Sequence, residues 1–140
     1  MEAYTHKVQY YETDQMGVVH HSNYIRWFEE ARVDYMEKMG KGYDSVEEDG
    51  IISPVVSVNC EYKSPCRFGD TVYVVTCLQS ISGVRFSFAY EVYDMESKEL
   101  RAKGDSRHCF LKDNRIISLK KEDIEVYNLF ESFEGVKTTF

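Results

Sequence analysis

One stretch of this chain has helical periodicity and nearly all its other regular sequence has strand periodicity, and that single switch leaves few folds open. Tyr24, Phe28, Ala31, Tyr35 and Met39 recur every three or four positions, with Trp27 and Met36 beside them. The spacing predicts one long amphipathic helix. Ser22, just ahead of it, carries the hydroxyl of an N-cap, and Gly40 and Gly42 supply the positive φ that commonly ends helices. Glu47, Glu48 and Asp49 then mark a solvated connection before Gly50.

From Ile51 onward the period is two. Val56, Val58, Cys60 and Tyr62 share one face of a first strand, and Val72, Val74, Thr76 and Leu78 share one face of a second. Ser82 and Gly83 turn the chain into a third strand with Val84, Phe86, Phe88, Tyr90 and Val92 on its apolar side, and a fourth runs from Leu100 to Leu111. Asp113 to Arg115 reads as another turn, and a short helix from about Lys121 to Phe130 follows. Ahead of the long helix, Ala3 to Tyr10 reads as a strand. Strand, long helix, then antiparallel strands predicts an α+β sheet wrapped around one helix. Aromatic residues on both faces of the strands predict that a partner subunit covers what the helix leaves open.

The 140 residues make one ordinary domain, 1–140, without repeats, and with Pro54 and Pro65 as its only prolines the chain has no rigid linker. A formal net charge of −7 without a basic stripe excludes a nucleic-acid partner. No run approaches ~18 apolar residues, and the amino terminus MEAYTHKVQY lacks a secretory signal, so a cytoplasmic protein with no membrane insertion is expected. Cys60, Cys66, Cys77 and Cys109 have neither CxxC pairing nor zinc-ligand spacing, sit in strand-like surroundings, and read as core residues or free thiols.

Chemistry concentrates between Tyr11 and Arg32, where Asp14 and Gly17 lie in a loop leading to the start of the long helix. The first N–H groups of a helix lack intrahelical partners and carry partial positive charge, so they can hold an oxyanion. A carboxylate aimed at the same volume can attack a polarised carbonyl or activate a water to do so. Asp14 could equally cap a turn, as Asp often does. Adjacent His20 and His21 point in different directions on regular backbone and have no third ligand at a suitable spacing, so no metal is expected.

The motif Thr13-Asp14-x-x-Gly17-Val18-Val19, then His21 and Tyr24, then Trp27-Phe28-Glu29-x-Ala31-Arg32, resembles the hotdog-fold acyl-CoA thioesterases. The similarity is to the 4-hydroxybenzoyl-CoA thioesterase-like group that includes the Tol-Pal-associated acyl-CoA thioesterase. Tyr62-x-x-Pro65 and Phe68-Gly69-Asp70-x-Val72 agree in the correct order, and coverage runs from about Tyr4 to Phe130. His20 departs from the tyrosine or phenylalanine usual at its position.

The resemblance implies hydrolysis of an acyl-CoA to free acid and coenzyme A, without a cofactor, by a homodimer or a dimer of dimers (a homotetramer) with the site between subunits. Asp14 would be the nucleophile or general base, the backbone N–H of His21 or Ser22 the oxyanion donor, and the His21 imidazole a helper. Gly17, Val18, Asn23 and Tyr24 would lie along the substrate, Gly17 by shaping the loop. Glu29 and Arg32, three apart on one helical face, are expected to pair with each other, with Glu29 a reserve candidate for catalysis. Coenzyme A phosphates require basic residues, for which Lys63, Arg67, Arg85, Arg101, Lys103 and Arg107 are available. Two other readings stay open: a hotdog hydratase or dehydratase, and a non-catalytic acyl-CoA-binding module.

Overall fold

In the computed structural model, which describes residues 1–40 and 43–140 and all their side chains except those of residues 43–45, the helical stripe becomes α1 (Ser22–Met39). Tyr24, Trp27, Phe28, Ala31, Tyr35, Met36 and Met39 are all buried. Each large apolar side chain contributes roughly 1.5–3 kcal/mol by leaving water, so this stripe fixes how α1 rolls against the sheet. Gly40 ends the helix at φ 97°, donating its N–H to the Glu37 carbonyl; Gly42 lies outside the described residues.

The N-cap differs from expectation. His21 is already helical (φ −54°, ψ −29°), which puts Ser22 inside the first turn. His20 does the capping instead. Its Nδ1 accepts from the Ser22 N–H at 3.2 Å and lies 2.8 Å from Ser22 Oγ, an imidazole nitrogen standing where an Asp or Asn oxygen usually would.

Among the described residues β1 (Tyr4–Lys7), β2 (Val55–Tyr62), β3 (Thr71–Ile81), β4 (Arg85–Asp94) and β5 (Leu100–Cys109) form one antiparallel sheet in the order β1-β3-β4-β5-β2. The expected inner faces are met on β3 by Val72, Val74, Thr76 and Leu78 and on β4 by Phe86, Phe88, Tyr90 and Val92, all buried. Phe28 stacks on Tyr90 with ring centres 4.4 Å apart, and Tyr35 meets Phe88 edge-on at 5.3 Å. The sheet wraps α1 as the antiparallel α+β reading requires.

The first strand is shorter than Ala3–Tyr10. β1 pairs only with Thr71 to Val74 of β3, after which the chain leaves the sheet into a 3-10 turn at Tyr10–Glu12. The edge of β3 beyond Val74 is taken by the C-terminal tail. There Gly135 N–H donates to the Leu78 carbonyl, Thr138 N–H to the Thr76 carbonyl, and the Thr76 N–H to Thr138 Oγ1. A row of donors and acceptors that β1 is too short to satisfy is thereby closed.

Three further differences have local causes. The expected solvated connection contains a short helix, α2 (Tyr43–Glu48), before Gly50 turns at φ 79°. The C-terminal helix is two pieces, α3 (Leu119–Glu122) and α4 (Ile124–Ser132), because Asp123 is non-helical at φ −152° and its carboxylate caps Val126 N–H. Cys66 lies in a loop, not a strand, and all four cysteines are free. The turn at Asp113 and Asn114, both at positive φ, joins the two short strands β6 (Leu111–Lys112) and β7 (Arg115–Ile116) as a two-residue hairpin. No described helix is long and apolar enough to cross a membrane.

β2 is the largest departure in packing. Val58, Cys60 and Tyr62 do share the inner face, opposite Ser106, Gly104 and Ala102 of β5, but the irregularity between Val55 and Ser57 brings Val55, not Val56, into line with them. Yet Val55, Val56, Val58 and Tyr62 are 51%, 65%, 40% and 47% exposed, because β2 is the outer strand and α1 covers only its margin.

Glu29 and Arg32 do not pair. Arg32 turns into the protein, 7% exposed, and donates from Nη1 to the Tyr90 hydroxyl at 3.1 Å, while Glu29 stays outside. The Tyr90 hydroxyl lies 2.6 Å from Ser106 Oγ, and Ser106 Oγ lies 2.7 Å from His108 Nε2. Burial, reinforced by the Arg32 charge, pushes His108 down to about 4 and keeps it neutral.

Gly104, in the middle of β5, lets this layer close. A Cβ there would collide with the Asn59 carbonyl of β2 and come within 2.8 Å of Phe28 Cε2. Gly104→Ala should therefore cost about 2 kcal/mol by forcing backbone apart, as overpacked cores do. Chemical denaturation measures it; an unchanged midpoint would show that Phe28 and β2 yield freely.

Candidate active site

The Asp14 loop is built locally by turn chemistry. Asp14 N–H donates to the Val18 carbonyl at 2.9 Å and Gly17 N–H to the Asp14 carbonyl at 3.0 Å, with Gly17 at φ 78° and Thr13 bridged to Val19. This is a tight hairpin in which the fourth turn position is left-handed, where glycine is favoured. One carboxylate oxygen of Asp14 holds the turn by accepting from Met16 N–H at 2.8 Å. The other has no protein partner among the described residues and faces a cleft of about 330 Å³. Asp14 is thus both a turn former and a carboxylate with one oxygen to spare.

That cleft is walled by Val18, Val19, His21 and Tyr24 on one side and by Tyr62, Lys63, Ser64 and Pro65 on the other. The Tyr62 hydroxyl donates to the His21 carbonyl at 3.0 Å and its ring meets Tyr24 at 5.2 Å, so the start of α1 and the end of β2 are stapled together beside Asp14. Ser64 Oγ donates to the Leu100 carbonyl and accepts from Arg101, which anchors the second wall to β5. Asp14, Val18, His21 and Tyr24 are brought together here.

The remaining candidates have other work. Ser22 does not line the cleft, and its N–H and hydroxyl both meet the His20 imidazole. The His21 N–H has no hydrogen-bond partner among the described residues, as is usual for the first N–H groups of a helix. Asn23 is tied down, its Nδ2 donating to the Glu12 carbonyl at 2.9 Å. The rings of His20 and His21 lie 4.1 Å apart at the surface.

Sequence reading missed Glu12. It is 4% exposed, and its carboxylate meets Gln9 N–H, His6 Nε2 and Trp27 Nε1, each at 2.8 Å. Its carbonyl accepts from His20 N–H as well as from Asn23. Burial would raise this carboxyl, but the hydrogen bonds from Gln9, His6 and Trp27 outweigh it and hold Glu12 below the usual range. One residue thus locks the Asp14 loop to the first turn of α1. Its sequence neighbours, two tyrosines and a threonine, give no sign that it is buried. The Tyr62–Pro65 wall was quoted in the motif but not as part of the site, since only the fold brings it opposite Asp14.

Of the basic candidates, Lys63 and Lys103 lie near Glu61, and Arg101 near Asp94 and Glu99. Arg85 and Arg107 instead line a second cleft, of about 410 Å³, with Ser57, Ser80 and Ser82. Among the described residues no group of three His, Cys, Asp or Glu side chains is arranged to hold a metal ion.

The model of the Thioesterase-like superfamily matches residues 8–125. A putative esterase of Aquifex aeolicus is 38% identical over 123 residues, 88% of this chain and 94% of its own length. The putative acyl-CoA thioesterase YneP of Bacillus subtilis is 38% identical over 102 residues, 73% of each chain. The DHNA-CoA thioesterase of Staphylococcus aureus superposes with a TM-score of 0.89 at 33% identity, covering 94% of this chain and 89% of that one. With the hotdog sheet around α1, these likenesses agree on one assignment: the chain belongs to the Thioesterase-like superfamily and hydrolyses a thioester.

Proposed function

We propose that the substrate is an acyl-CoA and that Asp14 and the start of α1 carry out its hydrolysis. The observation that carries this is that Asp14, with one carboxylate oxygen unpartnered among the described residues, and His21 at the start of α1 line one cleft. The thioester carbonyl oxygen sits at the His21 N–H, where helix-terminal charge stabilises the oxyanion of the tetrahedral intermediate. Asp14 attacks the carbonyl carbon, giving a mixed anhydride that water hydrolyses, or takes a proton from the attacking water. Either route breaks the C–S bond, consumes one water and releases carboxylic acid and coenzyme A thiol, without a cofactor. His21 and Tyr24 flank the reacting group, and Gly17 and Val18 set the height of the loop.

Coenzyme A as the carrier is supported by the relatives named for coenzyme A thioesters. The protein works in the cytoplasm as a homodimer or dimer of dimers. The exposed apolar residues of β2 and the unpaired outer edge of that strand support its pairing with β2 of a second copy, which would complete the cleft beside Tyr62. A thiol-release assay over short, long, branched and aromatic acyl-CoAs, run alongside sedimentation, tests both parts. Coenzyme A release by a species of at least dimeric mass is expected. Binding without thiol release would leave only a binding module, and a product dehydrated or hydrated at the β-carbon would move the protein to the hydratases.

A further inference from the structure

The boundary between α1 and β2 continues past the Asp14 cleft. His21, Ile25, Phe28, Glu29 and Arg32 fall at three- and four-residue spacings along α1, and Tyr62, Val58 and Val55 run the opposite way along β2. At the Asp14 end this boundary holds the 330 Å³ cleft with His21, Tyr24 and Tyr62. Further along, Ile25, Phe28, Glu29 and Arg32 enclose with Val55, Val58 and Ser106 a small cavity of about 80 Å³. Tyr24 and Arg32 are eight residues apart, about 12 Å along a helix rising 1.5 Å per residue.

The small cavity has an unusual wall. Arg32 is 93% buried, yet among the described residues its one hydrogen-bond partner is the neutral Tyr90 hydroxyl and no carboxylate lies within ion-pair distance. Behind it, Tyr90, Ser106 and His108 form a chain without a negative charge, His108 being neutral. A guanidinium has five donors in a fixed fork, and a buried cation without a counter-group is costly. Arg32 lines the cavity with donors beyond the one given to Tyr90, and the exposed Glu29 lines it as an acceptor.

We infer that Arg32 is a specificity residue that reads the far end of the acyl group: the furrow between α1 and β2 takes the acyl chain from Asp14, and the cavity at Arg32 takes a distal hydroxyl. Arg32 donates to the hydroxyl oxygen and Glu29 accepts a hydrogen bond from the hydroxyl, a complementary pair that a methyl end cannot use and a carboxylate end would set against Glu29. About 80 Å³ suits such a terminus and not a further ring. The inference rests on the acyl-CoA reading above.

The test compares kcat/KM for ω-hydroxyoctanoyl-CoA and octanoyl-CoA on the intact protein. The hydroxylated substrate should be favoured about ten- to a hundredfold, the worth of a hydrogen bond to a charged donor. Arg32→Met should bring the kcat/KM ratio of the two substrates to about one, and Arg32→Lys, which keeps the charge in a less demanding change, should retain part of the preference. Equal rates in the unaltered protein overturn the inference without needing a variant. So does a preference that survives Arg32→Met, or a loss of both activities together with a fall in sedimenting mass, which would make Arg32 the partner of a second copy's carboxylate. Failure to hydrolyse either substrate, or any other acyl-CoA, sinks the acyl-CoA reading itself and the subsite with it.

Discussion

Asp14→Asn should lower kcat on a good acyl-CoA about 10²-fold or more, the scale of losing an essential base or nucleophile. Asn keeps an oxygen that can accept from Met16 N–H, so the hairpin at Gly17 and the fold should survive; what disappears is the charge on the oxygen facing the cleft. Circular dichroism and melting temperature should be unchanged while thiol release collapses, with KM moving little because Asp14 contributes little ground-state binding. Near-normal turnover would remove Asp14 from the chemistry and bring Glu29 forward. A single turnover in isotopically labelled water, joined to hydroxylamine trapping, separates the two routes: label carried into the Asp14 carboxylate, or a trapped acyl group, marks the anhydride, and label confined to the product acid with nothing trapped marks the general base.

Glu12→Gln should be the most damaging conservative change near the site. The carboxylate accepts from three donors at once, and an amide must turn its NH2 toward the Trp27 Nε1 side or toward the Gln9 and His6 side. Donor then faces donor in a buried place, costing about 3 kcal/mol and a melting temperature lower by on the order of 10 °C. Turnover should fall as well, because the Glu12 carbonyl fixes both His20 and Asn23 and so sets the start of α1 against the Asp14 loop. A melting temperature within a degree of the parent would show that the loop is held by other contacts.

Acid stability follows from the same groups. His108 titrates near 6.5 when unfolded and about 4 when folded, so the unfolded chain binds the extra proton and stability falls as pH drops from 6.5 toward 4. Glu12 has a folded pKa below its ordinary 4.5, so its contribution is present above that value and is lost as pH falls through the lower folded one. Denaturant titrations should show both losses in the parent and, for Glu12→Gln, only the His108 loss.

The helix stripe and the inner faces of β3 and β4 were legible because local periodicity reports burial wherever one element covers another. Periodicity placed Val58, Cys60 and Tyr62 on the inner face of β2, missed the irregularity that brings Val55 there in place of Val56, and misjudged the strand's burial, since strand order decides which strand lies outermost. Ser22 looked like the cap because its residue type favours that role, whereas the helical backbone begins one residue earlier and uses the His20 ring. Glu29 and Arg32 were neighbours by helical spacing and were separated by the direction of one side chain into the sheet. The same burial explains why Glu12 went unseen: a lone glutamate among tyrosines carries no pattern, and its three donors come from residues three to fifteen positions away.

By itself the sequence determined that one helix must be wrapped by an antiparallel sheet, and that an acid precedes that helix across a glycine turn. Both are short-range properties, set by hydrophobic period and by the φ that glycine permits. Only the tertiary structure decided which residues share a cleft with that acid, which strand lies outermost, and that Arg32 is buried against Tyr90. These depend on which distant side chains share a volume, because hydrogen-bond satisfaction and burial are settled by packing partners that no local pattern names.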